Sequence, residues 1–170
     1  MIAILMSDRP EWVAKILNGE KPIEIRKTAP KCELPIDVYI HCTAPNSKGG
    51  VIGRFDSEGN HICYNRKVVA KFTLRKVEDL RGINSSDGFS ILERACLDYD
   101  EYLDYLYKGR EGAYAWYISD LVIFDKPMEL SEFRYKKVTR KWDKNYHNRI
   151  VKKEIISVKR APQSWQYVEV

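Results

Sequence analysis

The chain has 170 residues, of which 44% are apolar and 31% charged, the balance of a globular protein rather than of a disordered or fibrous one. Its longest apolar runs, 2–6 and 121–124, fall far short of the ~20 residues a membrane span needs, and no basic leader precedes the first run, so a cytoplasmic protein with no membrane partner is expected. The net charge of +5 is uneven: between 134 and 160 eleven Lys or Arg face only Asp143 and Glu154, a local +9 that leaves −4 for the remainder.

The length fits one domain spanning 1–170, large enough to bury a core without staples. Run 2–6 reads as a buried opening strand. Ser7 or Asp8 then offers a helix cap, with Pro10 and Glu11 in the first turn. Trp12, Val13, Ile16 and Leu17 share one helical face and are expected in the core. Gly19 stands where a helix-ending glycine belongs, and 22–26 alternates like a half-buried strand.

Further strands are expected at 36–42 and 68–74, with a hairpin whose arms, 51–55 and 62–64, flank Ser57-Glu58-Gly59-Asn60. Two short helices follow. Asp87 starts the first, and Asp98 with Glu101 forms a D-x-x-E capping box for the second. Segments 114–118 and 121–124 read as two strands, the latter ended by Pro127, and 165–168 as the last strand. About six or seven strands, one early helix and a pair of middle helices point to an α+β fold with a small curved sheet or barrel of about six strands.

The four cysteines, Cys32, Cys42, Cys63 and Cys96, contain no C-x-x-C pair and read as reduced thiols. His61 and Cys63 share a strand face, but zinc sites show tighter paired spacings. Neither metal nor cofactor is expected. G-x-S-x-G, Walker A, GxGxxG and zinc-deaminase patterns are all absent. A Cys/His pair built on Cys42 with His41 or His147 has no support in spacing.

Two clusters carry the functional reading. In Gly19-Glu20-Lys21-Pro22-Ile23-Glu24-Ile25-Arg26, alternation puts Ile23 and Ile25 on one strand face and Glu24 and Arg26 on the other. Lys21 stands where the strand begins. One carboxylate between two cations is a compact polar site, and Arg26 presents a planar fork suited to phosphate or a base edge. An exposed ion pair is the bland alternative. The second cluster is the basic segment 134–160. Lys136, Lys137, Arg140 and Lys141 would meet phosphates while Trp142 and Tyr146, with Tyr135 nearby, would stack on bases of RNA or another single-stranded nucleic acid. A solvated basic surface loop or hairpin is the alternative.

The first cluster resembles the signature G-x-K-x-x-E-x-R of the ASCH family, a branch of the PUA-like domains, matched by Gly19, Lys21, Glu24 and Arg26. Arg9-Pro10-Glu11-Trp12 resembles the family's opening to its first helix. Ala115-Trp116-Tyr117-Ile118-Ser119 with Pro127, Leu130 and Phe133 resembles its closing strand. Segment 161–168 is similar to the ending of ASCH-like proteins often carried by phages and prophages.

The resemblance implies a small PUA-like β-barrel with helices and a cleft facing RNA, a nucleotide or a modified nucleobase. Some members are binding modules, and others have been linked to RNA cleavage. One group removes the acetyl group from N4-acetylcytidine with a lysine, a threonine and a glutamate. The lysine corresponds to Lys21, but Glu24 holds the threonine's place, and a carboxylate does not replace a hydroxyl nucleophile. Two readings stay open. One is a binding module whose ligand meets Lys21, Glu24 and Arg26. The other is a small hydrolase with Glu24 as base and Lys21 and Arg26 stabilising charge.

Overall fold

The computed structural model describes residues 1–81, 86–106, 112–143 and 148–170, with side chains described outside 141–150. Strand β1 (Ile2–Asp8) is buried from Ala3 onward. It lies mid-sheet because its continuous apolar run has no polar face to offer solvent. Helix α1 (Pro10–Leu17) follows at once. Its cap is Arg9 rather than Ser7 or Asp8: Arg9 has extended backbone angles and no side-chain capping bond, while Asp8 Oδ1 accepts the Arg9 amide at 2.9 Å. Asn18 closes α1, and Gly19 leaves it at φ +77°, a conformation that costs any residue with a Cβ.

The remaining strands are β2 (Ile23–Arg26), β3 (Ile36–Cys42), β4 (Gly53–Phe55), β5 (His61–Cys63), β6 (Val68–Asp79), β7 (Tyr114–Met128), β8 (Arg134–Asp143), β9 (Asn148–Ser157) and β10 (Trp165–Glu169). Helices α2 (Ser86–Arg94) and α3 (Tyr99–Leu106) lie between β6 and β7. The D-x-x-E box starts α3 as read from sequence, the Glu101 amide donating to Asp98 and the Asp98 amide to Glu101.

Eight strands form one curved, unclosed sheet in the order β2-β7-β6-β3-β1-β10-β8-β9, and β4 and β5 make the expected separate hairpin. Among the described residues only β1 and β3 pair in parallel. The mixed α+β class and the three helices agree with expectation, but the main sheet has eight strands rather than about six. The added strands are the arms of the basic segment, β8 and β9. Their dense Lys and Arg mask the apolar alternation by which strands are recognised.

A second correction concerns β7, which is one strand and not two. Asp120, at φ +50°, forms a bulge where the register passes from Lys71↔Val122 to Thr73↔Ser119, and its carboxylate accepts the Arg75 guanidinium at 2.8 Å. The strand runs through Pro127. The register there jumps from Ala70↔Ile123 to Val68↔Met128, so the missing proline N–H is not called on by the ladder.

The main core lies between α1 and the sheet and holds Ile4, Met6, Val13, Ile16, Phe72 and the fully buried Trp116. A second cluster, beneath α2 and α3, encloses Ile23, Ile25, Leu92, Ala95 and Tyr102. That cover explains how β2, at the end of the sheet, is buried on both faces.

Candidate functional site

Strand β2 puts Ile23 and Ile25 against α2 and α3, so its other face carries Glu24 and Arg26 into the space before α1. Glu24 is clamped. Its Oε2 lies 3.3 Å from Lys21 Nζ and its Oε1 3.0 Å from Arg26 Nε. Arg26 Nη2 lies 3.3 Å from Asp8 Oδ2 and donates to the Ser7 carbonyl at 3.1 Å. Lys21 Nζ donates to the Ala95 carbonyl and stands 5.1 Å from the Trp12 ring centre, within cation–π reach.

All four charged residues are buried: Lys21 3%, Glu24 5%, Arg26 6% and Asp8 8% exposed. The bland alternative, an exposed surface pair, therefore does not describe this cluster. Desolvating two cations and two carboxylates is expensive, and mutual attraction offsets it only in part.

The four residues form the floor of a cleft of about 950 Å³. Trp12 and Tyr105 stand on its walls, Arg9, Lys27 and Lys48 supply cations, and Glu101 and Asp104 supply carboxylates. Lys27 Nζ lies 4.7 Å from the Tyr105 ring centre. The structure thus brings Lys21, Glu24 and Arg26 together in one cleft. Trp12, expected in the core, is only half-buried and serves as wall.

Sequence reasoning missed Asp8, Tyr105 and the Gln163-Ser164 segment. Asp8 was legible only as a possible helix cap, and no pattern singled out Tyr105. Nothing local marks Ser164, whose carbonyl accepts the Ser7 amide at 2.8 Å and whose hydroxyl lies 3.4 Å from Arg26 Nη1.

The electrostatics single out Asp8. Burial, helped by repulsion from Glu24, pushes the Asp8 carboxyl from 3.8 up to about 7 although Arg26 and Lys21 pull it down. Burial alone would lower Arg26, but Glu24 and Asp8 outweigh it and its guanidinium is held above its ordinary value. On β3, behind this floor, His41 and Cys42 stay neutral. Burial takes His41 down to about 4 and Cys42 up to about 12. A thiolate nucleophile is out of reach there. His61 and Cys63 are both exposed on β5, and among the described residues no three potential metal-binding side chains cluster.

The basic segment forms the antiparallel pair β8–β9. Lys136, Lys137 and Arg140 are exposed on β8, more than 100 residues along the chain from the cleft cluster. Tyr135 is partly buried against the core cluster that holds Phe133, Val158 and Val168 instead of standing free for stacking. The side chains of Lys141 and Trp142, and Tyr146 as a whole, lie outside the described residues. No helix among the described residues is long and apolar enough to cross a membrane.

No family model and no curated protein matches the chain. Solved structures do. The crystal structure of the ASCH protein of Zymomonas mobilis is 20% identical, covering 98% of this chain and 87% of its own, at a TM-score of 0.59. A serine-to-alanine variant of that protein is 18% identical over 98% of this chain and 88% of its own, at a TM-score of 0.61. A tyrosine-to-phenylalanine variant is 22% identical over 75% and 76%, at 0.53. At such identities the likeness is one of fold: the curved sheet with its helices resembles the fold of those ASCH proteins.

Proposed function

We propose that this protein is a nucleic-acid-binding domain of the ASCH type whose cleft recognises a nucleobase or nucleotide over Lys21, Glu24 and Arg26. One observation carries the reading: three signature side chains and Asp8, all charged and nearly buried, sit together under an open cleft walled by Trp12 and Tyr105. A structural role alone gives little reason to keep so costly a cluster where a packed apolar one is as stable. Fixed donors and acceptors beneath aromatic walls are what a planar, polar base requires. Lys27 and Arg9 at the rim suit a phosphate. RNA or single-stranded nucleic acid, a cytoplasmic setting and the phage or prophage association of segment 161–168 complete this reading.

Hydrolysis is the second reading. Glu24, clamped by two cations, is poorly placed to act as a base. The observation that favours hydrolysis is Asp8, held at about 7, where a group can both take and give a proton near neutrality.

The test is a titration with single nucleotides and short RNA oligomers, read by tryptophan fluorescence because Trp12 stands on the cleft wall. Saturable binding with a preference among bases is expected. Arg26→Lys, which keeps the charge and loses the fork, should weaken it at least tenfold in a variant whose circular dichroism is unchanged. Absence of binding at low salt, together with turnover of a free nucleoside such as N4-acetylcytidine, overturns the binding reading in favour of hydrolysis.

A further inference from the structure

Strands β8 and β9 pair along ten positions, from Arg134↔Ser157 to Asp143↔Asn148, whereas β8 meets the body of the sheet only at Glu169↔Arg134. Tyr135 leans on the core beneath the sheet. Beyond it, among the described residues, no other strand pairs with the ribbon, which extends roughly 23 Å from Lys136 to Asp143 at ordinary strand rise.

Residues directly opposed in an antiparallel pair share a face, and faces alternate along each strand. On one face Lys136 opposes Ile155, Val138 opposes Lys153 and Arg140 opposes Val151. All six are exposed. This face carries no carboxylate over 134–140 and 151–157, and Lys136, Arg140 and Lys153 enter no ion pair among the described residues. The other face differs. There Lys137 opposes Glu154 and Thr139 opposes Lys152, and Lys152 Nζ lies 2.7 Å from Glu154 Oε1. One face is thus free cation interleaved with branched aliphatic side chains, and the other is partly neutralised by its own carboxylate.

We infer that the β8–β9 ribbon is a docking arm for double-stranded DNA, which it engages by laying the face of Lys136, Arg140 and Lys153 into the major groove. The inference rests on the nucleic-acid reading above for the sign of its partner, but not on the cleft. Three unpaired cations on one face complement a polyanion. A two-stranded β-ribbon fits the ~12 Å major groove of B-form DNA, whereas the major groove of duplex RNA is too deep and narrow for side chains to read. The described part of this face offers Val138, Val151 and Ile155, side chains suited to thymine methyl groups on the groove floor. Tyr135, the aromatic nearest the ribbon's base, is turned to the core.

Fluorescence anisotropy with the intact protein tests this. The probes are a 20-base-pair DNA duplex, the same sequence as duplex RNA, and one DNA strand alone, each over a salt series. The DNA duplex should bind at least tenfold tighter than either of the others. Lys136→Ser with Lys153→Ser should weaken duplex binding at least tenfold and flatten the logarithmic salt slope by roughly 1.8, two phosphate contacts' worth. Lys137→Ser with Lys152→Ser removes the same net charge from the other face and should cost less than threefold. All four lysines are exposed, so the fold should tolerate both pairs.

Dimethyl sulfate footprinting should show guanine N7, a major-groove atom, protected by the native protein. Equal losses from the two pairs, duplex RNA, single strands or anionic vesicles bound as well as duplex DNA, or unprotected N7 would each overturn the inference. Nucleotide binding in the cleft without duplex preference rejects the ribbon's role alone, and duplex binding by a protein that takes no nucleotide rejects the cleft reading alone.

Discussion

Replacing Asp8 by asparagine probes the floor of the cleft most directly. Asp8 is 8% exposed, bonded to the Arg9 amide and 3.3 Å from Arg26, with its carboxyl raised from 3.8 to about 7. Between those two values the folded protein keeps a proton that the unfolded chain has released. The associated stability is present in full below pH 3.8 and is lost as pH rises towards 7. The slope is about 1.4 kcal/mol per pH unit, or roughly 2 kcal/mol from pH 5 to pH 7 once saturation near 7 is allowed for.

His41 leans the other way. Its value falls from 6.5 to about 4, so on acidification across that window the unfolded chain gains a proton the folded state refuses, and stability falls with falling pH. The two slopes offset each other in the native protein and hide both groups. Asparagine is neutral throughout and keeps an oxygen for the Arg9 amide. The difference between Asp8→Asn and native protein therefore isolates the carboxyl. It should move in the variant's favour by roughly 2 kcal/mol from pH 5 to pH 7, about 6 °C in Tm for a protein of this size. Urea unfolding at pH 5, 6, 7 and 8 measures it. A difference that stays level with pH, or that moves against the variant as pH rises, refutes the account of Asp8 as a desolvated carboxyl.

The remaining predictions concern the other residues that shape the site. Glu24→Ala strands Lys21 and Arg26 as buried cations and should cost roughly 3–5 kcal/mol, read as a drop of about 10 °C or more in Tm; a loss below about 1 kcal/mol would mean that the pair behaves like a surface one. Gly19→Ala should cost about 1–2 kcal/mol through its backbone alone, because φ is +77° and no atom lies within 4 Å of where the new Cβ would stand. Chemical denaturation checks it, and a much larger loss would point to a clash that this open position does not contain.

The features legible along the chain were local ones. Alternation in β2 was enough to divide Ile23 and Ile25 from Glu24 and Arg26, because strand faces repeat with a period of two whatever lies beyond them. Pro10, Gly19 and the Asp98–Glu101 box marked helix ends through rules spanning four or five residues. The ASCH-like order of strand, helix and signature was legible for the same reason. Recognition of β8 and β9 failed because periodicity detects strands through apolar faces, and this ribbon buries little on either side.

The character of the site came from long-range packing. Whether Glu24 and Arg26 face water or each other depends on α1, α3 and the segment before β10 closing over one end of the sheet. Asp8 joins them because β1 ends beside Arg26, a meeting of residues 18 positions apart that no local pattern encodes. Its raised pKa is a property of that burial and not of its neighbours in the chain. The two unequal faces of the ribbon likewise exist only in the register that sets Lys136 opposite Ile155; a slip by one residue would exchange the partners across every pair.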